Sequence, residues 1–119
     1  MSWQEDFERL KPQIESALTY NAGTQNLEDV RRRLEDGSFT MWATKNSVAI
    51  IESTVLSGKK YVVVALGAGD LDELKEVLSQ IENESKKLGF NGVMIIGRRG
   101  WGRVFLEYKE KATVYIKEI

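Results

Sequence analysis

A chain of 119 residues is long enough to bury a real core and too short for a comfortable second one, so residues 1–119 read as a single domain. Hydrophobic residues make up 42% and charged residues 29%, a globular balance that excludes a disordered chain, and a net charge of −1 provides no overall field for nucleic acid or an anionic membrane. Cys and His are absent, which excludes thiol nucleophiles, disulfides, Cys/His zinc sites and imidazole catalysis and leaves carboxylates, hydroxyls, Lys, Arg and backbone groups.

Trp3, Phe7, Leu10, Ile14 and Leu18 keep helical spacing, but Pro12 interrupts the run. Proline suits the first turn of a helix and damages its interior, so the pattern predicts a short helical lead-in and then a helix starting near Pro12. Tyr20 to Thr24 is the loop that follows. Asn26, with Asp29 three residues on, caps a second helix carrying Leu27, Val30 and Leu34, and Gly37 ends it. Phe39 to Thr44 and Ser47 to Leu56 read as two strands joined at Lys45-Asn46, and Ser57-Gly58-Lys59 turns the chain into a third at Tyr61, giving an antiparallel meander.

Tyr61-Val62-Val63-Val64-Ala65-Leu66 is a β-branched apolar run that stops at Gly67-Ala68-Gly69. Beyond it Leu71, Leu74, Leu78, Ile81 and Leu88 recur at helical steps while Asp72, Glu73, Lys75, Glu76 and Glu84 face away, so a long helix packs on the sheet. Gly89 stops this helix, and Val93 to Ile96 forms a buried strand that a helical crossover makes parallel to the one before. Arg99 to Tyr108 reads as a short helix with Val104 and Phe105 inward, and Thr113-Val114-Tyr115-Ile116 as a closing strand. The longest apolar runs span five or six residues, too few to cross a bilayer, and Met1 to Asp6 lacks a basic segment leading into an apolar one. A cytoplasmic protein without a membrane partner is the expectation.

This order of elements resembles the GNAT superfamily of N-acetyltransferases, in which an antiparallel meander leads into a strand, a Gly-rich turn, a long helix, a parallel strand and a last helix. The resemblance covers roughly residues 12 to 119. Gly67-Ala68-Gly69-Asp70-Leu71 and Gly97-Arg98-Arg99-Gly100-Trp101 look like stretches of small GNAT-like proteins of tailed bacteriophages and prophages, whose setting is the host cytoplasm. It implies an α/β fold with a mixed GNAT-like sheet, an antiparallel meander followed by a parallel crossover, and the family's first strand missing. An open sheet edge favours pairing with a second copy or a protein partner.

In that family a Gln/Arg-x-x-Gly-x-Gly/Ala turn holds the pyrophosphate of acetyl-CoA on amides at the start of the long helix, where unpaired N–H donors meet an anion. The resemblance places Gly67, Ala68 and Gly69 on the Gly-x-Gly part, with Val64 standing where Gln or Arg is usual. Asp70 competes with such a ligand: as N-cap, its carboxylate accepts from the amide of Asp72 or Glu73. Arg98, Arg99 and Arg103 around Trp101 form the second candidate. They can clamp a small anionic ligand while the indole stacks on a ring, or Trp101 can fill a gap beside the sheet while the arginines pair with carboxylates such as Asp70 or Glu107.

Arg31-Arg32-Arg33, flanked by Glu28, Asp29, Glu35 and Asp36, reads as a solvated helix face with local ion pairs. Carried over from the family, Glu52 in the meander takes the place of a carboxylate base and Tyr108 that of the acid; the plain reading of Glu52 is one polar residue of an alternating strand facing water. Two functions follow. One is a catalytically degenerate GNAT-like module for binding or assembly with Arg98, Arg99, Trp101 and Arg103 as recognition surface, and the other is an acetyl-CoA-dependent N-acetyltransferase on an amine acceptor. A nucleic-acid role through the same arginines is opposed by the balanced net charge, and no residue set suggests a metal.

Overall fold

A computed structural model describes residues 3–19, 25–97, 101, 103–111, 115–117 and 119. Helix α1 spans Trp3–Arg9 and α2 spans Lys11–Leu18, with the break at Leu10 and Pro12 in the first turn of α2, where a missing N–H leaves no bond unmade. Helix α3, Leu27–Glu35, starts from a full capping box: Asn26 Oδ1 accepts from the Asp29 amide at 2.9 Å, and Asp29 Oδ2 accepts from the Asn26 amide at 3.1 Å.

Strands β1 (Thr40–Ala43), β2 (Val48–Leu56) and β3 (Lys59–Ala68) form the antiparallel meander. Helix α4, Leu71–Lys87, then crosses over to β4, Gly92–Ile95, which runs parallel to β3. The result is one mixed four-stranded sheet in the order β1-β2-β3-β4, an α/β architecture. Both inner strands carry apolar side chains on both faces, because each face is covered. Phe7, Ile14, Leu18, Val30 and Leu34 from α1, α2 and α3 pack with Val48, Ile50 and Leu66 on one side. Val77, Leu78 and Ile81 of α4 pack with Ala49, Val62 and Val64 on the other.

A bulge interrupts the pairing of β2 with β3. Ile51 faces Val64 but Ile50 faces Leu66, so Ala65 is an extra residue on β3. The ladder between β3 and β4 runs from Tyr61 and Gly92 to Val64 and Ile95 and ends beside that bulge. Past it, among the described residues, β3 is paired with β2 alone, and a gap opens on the α4 side.

Two expected elements differ. Among the described residues of Arg99 to Tyr108 there is a single helical turn in place of a helix: the Val104 and Phe105 amides donate to the Trp101 carbonyl at 3.0 and 2.9 Å, and the Tyr108 amide to the Phe105 carbonyl. Glycines at 100 and 102 in so short a stretch disfavour helix by roughly 1 kcal/mol each. Of the expected closing strand, Thr113 and Val114 lie outside the described residues, while Tyr115 and Ile116 are not in a strand. Their β-branched and aromatic character does not suffice, because strand preference reflects the neighbour a strand packs against.

Candidate functional site

Two features meet on the α4 side of the sheet: the start of α4 and the gap beyond the bulge. The chain reaches α4 through Gly69, whose φ of 120° an L side chain rarely adopts. A Cβ there would also lie 2.5 Å from the Asn46 carbonyl oxygen and 2.6 Å from the Ser47 Cα, so only glycine lets β3 pass this close to the β1–β2 turn. Ser47 is fully buried at that crossing, and its hydroxyl accepts from the Asp70 amide at 2.8 Å.

Asp70 caps α4, its Oδ1 accepting from the amides of Asp72 at 2.9 Å and Glu73 at 3.1 Å. Glu73 turns back to the β1–β2 turn, where its carboxylate accepts from the Thr44 hydroxyl, the Asn46 amide at 3.2 Å and the Asn46 side-chain nitrogen at 3.4 Å. The Thr44 hydroxyl above all holds the Glu73 carboxyl below its ordinary range; burial opposes it, and the Asn46 amide adds a further, smaller lowering. The amides of residues 70, 72 and 73 are therefore already engaged by oxygens of the chain itself. A helix start that binds an anion needs those donors turned outward and open.

The gap beyond the bulge is filled by Trp101. Its ring lies over Gly67 at the end of β3, where a Cβ would come within 2.9 Å of Cη2, and against Gly97, where a Cβ would meet Cε3 more closely still. Phe105 stands edge-on to the indole at 5.8 Å between centroids, and Tyr108 edge-on to Phe105 at 6.4 Å. The cavity left beneath them, lined by Ala49, Val64, Leu74, Leu78, Ile81 and Ile95 among others, is about 20 Å³, room for about one water-sized group. Trp101 thus fills the gap beside the sheet while its ring stays partly exposed.

The other candidate residues are dispersed. Gly67 lies under the indole, Ala68 faces the α1–α3 core opposite Val48, and Gly69 makes the crossing just described, so the three glycine-turn residues look in different directions. Arg103 is exposed; Arg98 and Arg99 lie outside the described residues. Glu52 sits on the α1–α3 face, ion-paired to Arg33 of α3 at 2.8 Å, and Arg33 also lies over the Phe39 ring at 3.8 Å. Tyr108 is on the opposite face and donates its hydroxyl proton to Glu82 Oε2 at 2.6 Å. Burial, and then the Glu82 carboxylate, push the phenol well above its ordinary range. The sheet separates Glu52 from Tyr108, so the two do not act on one bond.

Arg31 pairs with Glu28 and Arg32 with Asp29 along α3, the local pairing of a solvated face. Sequence reasoning missed Ser47, Thr44, Asn46 and Glu73, which tie the sheet to α4. Their signal was available in Thr44-Lys45-Asn46-Ser47, a turn rich in side-chain donors and acceptors. Among the described residues no group of acidic side chains is arranged to hold a metal ion, and no helix is long and apolar enough to cross a membrane.

No family model matches this chain, and no curated protein matches it. Two crystal structures of TTHA1254 from Thermus thermophilus share the fold. A point mutant of that protein aligns with a TM-score of 0.67 at 14% identity, covering 97% of this chain and 92% of its own. The wild type aligns with a TM-score of 0.61 at 14% identity, covering 97% and 91%. At that identity the likeness concerns the fold alone.

Proposed function

We propose that this chain is a GNAT-like domain that has lost acetyl-CoA binding and works as a binding or assembly module. Element order supports the GNAT-like part: a meander, a strand with a Gly-x-Gly end, a long helix and a parallel strand. The observation that carries the loss is the Asp70 carboxylate bonded to the amides of Asp72 and Glu73. A diphosphate brought to that helix start has to displace a charged cap and meets the carboxylates of Asp70, Asp72 and Glu73 within one turn. Trp101 adds to this by filling the gap where the two parallel strands part.

Titration with acetyl-CoA tests the reading. Millimolar acetyl-CoA is expected to leave the melting temperature unchanged and to give no heat of binding. A ligand at about a hundred times its dissociation constant stabilises by roughly 2.7 kcal/mol, so a clear rise in melting temperature overturns the proposal in favour of an acetyl-CoA-dependent N-acetyltransferase.

A further inference from the structure

We propose that the tip of the β2–β3 hairpin, with the end of α4 beside it, docks on an anionic phospholipid surface, where Val55 and Leu56 enter the headgroup layer and the surrounding lysines meet lipid phosphates. The inference goes beyond the module reading and does not depend on whether acetyl-CoA binds. The pairs Val55 with Lys60 and Leu56 with Lys59 are the outermost of the β2–β3 ladder. Among the described residues β1 reaches only to Ile51 and β4 begins opposite Tyr61, so these pairs stand beyond the rest of the sheet. Ser57 and Gly58 close the hairpin with φ of 52° and 78°, a two-residue turn that follows the strand twist and keeps the tip narrow.

Val55 is 63% exposed and Leu56 50%, so the hairpin holds two large apolar side chains in water. Successive strand residues point to opposite faces, and each face of the tip therefore presents one apolar side chain with a lysine directly across from it. That arrangement decides the occupant. A folded partner meets one face of so thin a projection and leaves the other apolar group wet. A headgroup layer surrounds the tip and takes in both side chains, while the lysine stems beside them reach up to the phosphates.

The end of α4 extends the same chemistry. The Asn91 amide donates to the Lys60 carbonyl at 2.7 Å and the Asn91 side chain accepts from the Lys60 amide at 2.9 Å, which holds the stretch after α4 against the hairpin. Lys60 Nζ lies 5.0 Å from the Phe90 ring centroid. Lys86, Lys87 and Leu88, just before that ring, are exposed. Residues 55–60 and 86–91 hold four lysines and no acid, Glu84 being the next acid back along α4. At the other end of the sheet α4 starts among Asp70, Asp72 and Glu73. A net charge of −1 gives no overall attraction to an anionic surface, but this separation turns the lysine end toward one, where each lysine strengthens binding about fivefold.

Co-sedimentation of the full chain with vesicles tests this. Vesicles of about one part phosphatidylserine to two of phosphatidylcholine should bind the chain, and phosphatidylcholine alone should not. Raising the salt from about 0.1 to about 1 M should release it, because the screening length falls from about 10 to about 3 Å. Val55→Thr with Leu56→Thr keeps strand-favouring side chains while removing apolar contact, and should weaken binding about tenfold. Lys59→Gln with Lys87→Gln leaves Lys60 on Phe90 and should weaken it about thirtyfold. All four positions are exposed, and circular dichroism checks that each variant folds. Leu56→Thr and Lys87→Gln alone carry the same test if a pair does not.

Absence of binding to the anionic vesicles overturns the proposal. So does binding that the lysine pair weakens and the apolar pair leaves unchanged, which makes the tip a general polyanion surface for an acidic protein or a nucleic acid. Binding that ignores both pairs places the contact elsewhere and overturns it too. Failure on vesicles leaves the acetyl-CoA reading standing, and a rise in melting temperature with acetyl-CoA leaves the docking standing.

Discussion

Ile14, Val30 and Ile50, behind the sheet, are wholly removed from water by α1, α2 and α3, whereas in front of it Trp101, Val104 and Tyr108 are covered only in part. The rear face is closed by helices whose apolar stripes repeat every turn. The front face relies on α4 plus three aromatic rings, carried by a segment with one helical turn and stacked edge to face. A regular stripe removes each of its side chains from water almost completely, so every one of them contributes nearly its full burial. A wedge that stays partly in water contributes less than its size suggests, so the front face is the more weakly sealed of the two.

Substitutions separate the two faces. Ile14→Ala is expected to have the largest effect, about 3 to 4 kcal/mol in urea unfolding, because it empties a fully buried site that helices on a sheet cannot collapse. Trp101→Ala should cost less, about 2 kcal/mol, since the ring is only partly buried and water can enter from its open side. A loss at Trp101 equal to or larger than that at Ile14 would erase the proposed contrast. Asp70→Ala removes the cap of α4 and should cost about 1 kcal/mol, with the melting temperature as readout.

Titration sharpens the contrast further, because the front face carries both a depressed acid and a raised one. Glu73 is more acidic in the folded protein than its ordinary value of 4.5, so its contribution is complete above that pH and disappears as pH falls below it. Glu73→Gln should therefore flatten the acid limb of the stability profile and leave a constant offset at neutral pH. Tyr108 is displaced upward, so its contribution is complete below the ordinary 10.0 and is lost as pH rises beyond it. Tyr108→Phe should change little at neutral pH and soften alkaline unfolding, the smallest of these effects.

The rear face was legible from residue spacing. Phe7, Ile14, Leu18, Val30 and Leu34 were placed on helices by period, and Asn26 and Asp29 announced the α3 cap. Asp70 was equally readable as an N-cap, since a short acid before a helical run has one local use for its carboxylate. The location of Trp101 was not, because nothing local says that an indole will lie over Gly67, thirty-four residues earlier in the chain. Glu52 and Tyr108 were assigned by their place in an element order, which fixes neither face; the register of β2 against β3 and the pairing of Glu52 with Arg33 do. The clasp of Glu73 on Thr44 and Asn46 likewise joins residues far apart in sequence, and only the fold brings them within hydrogen-bond reach.

Ala65 has a consequence for how this domain tolerates length changes. Removing that one residue would join Val64 directly to Leu66, leaving Leu66 opposite Ile50 and Gly67 opposite Ala49 as before, so both cores would keep their other members. What would vanish is the local kink at which β3 and β4 stop pairing, and with it the berth of the indole. A codon deletion at this point is thus a route by which the front of the molecule could zip shut while the back stays intact.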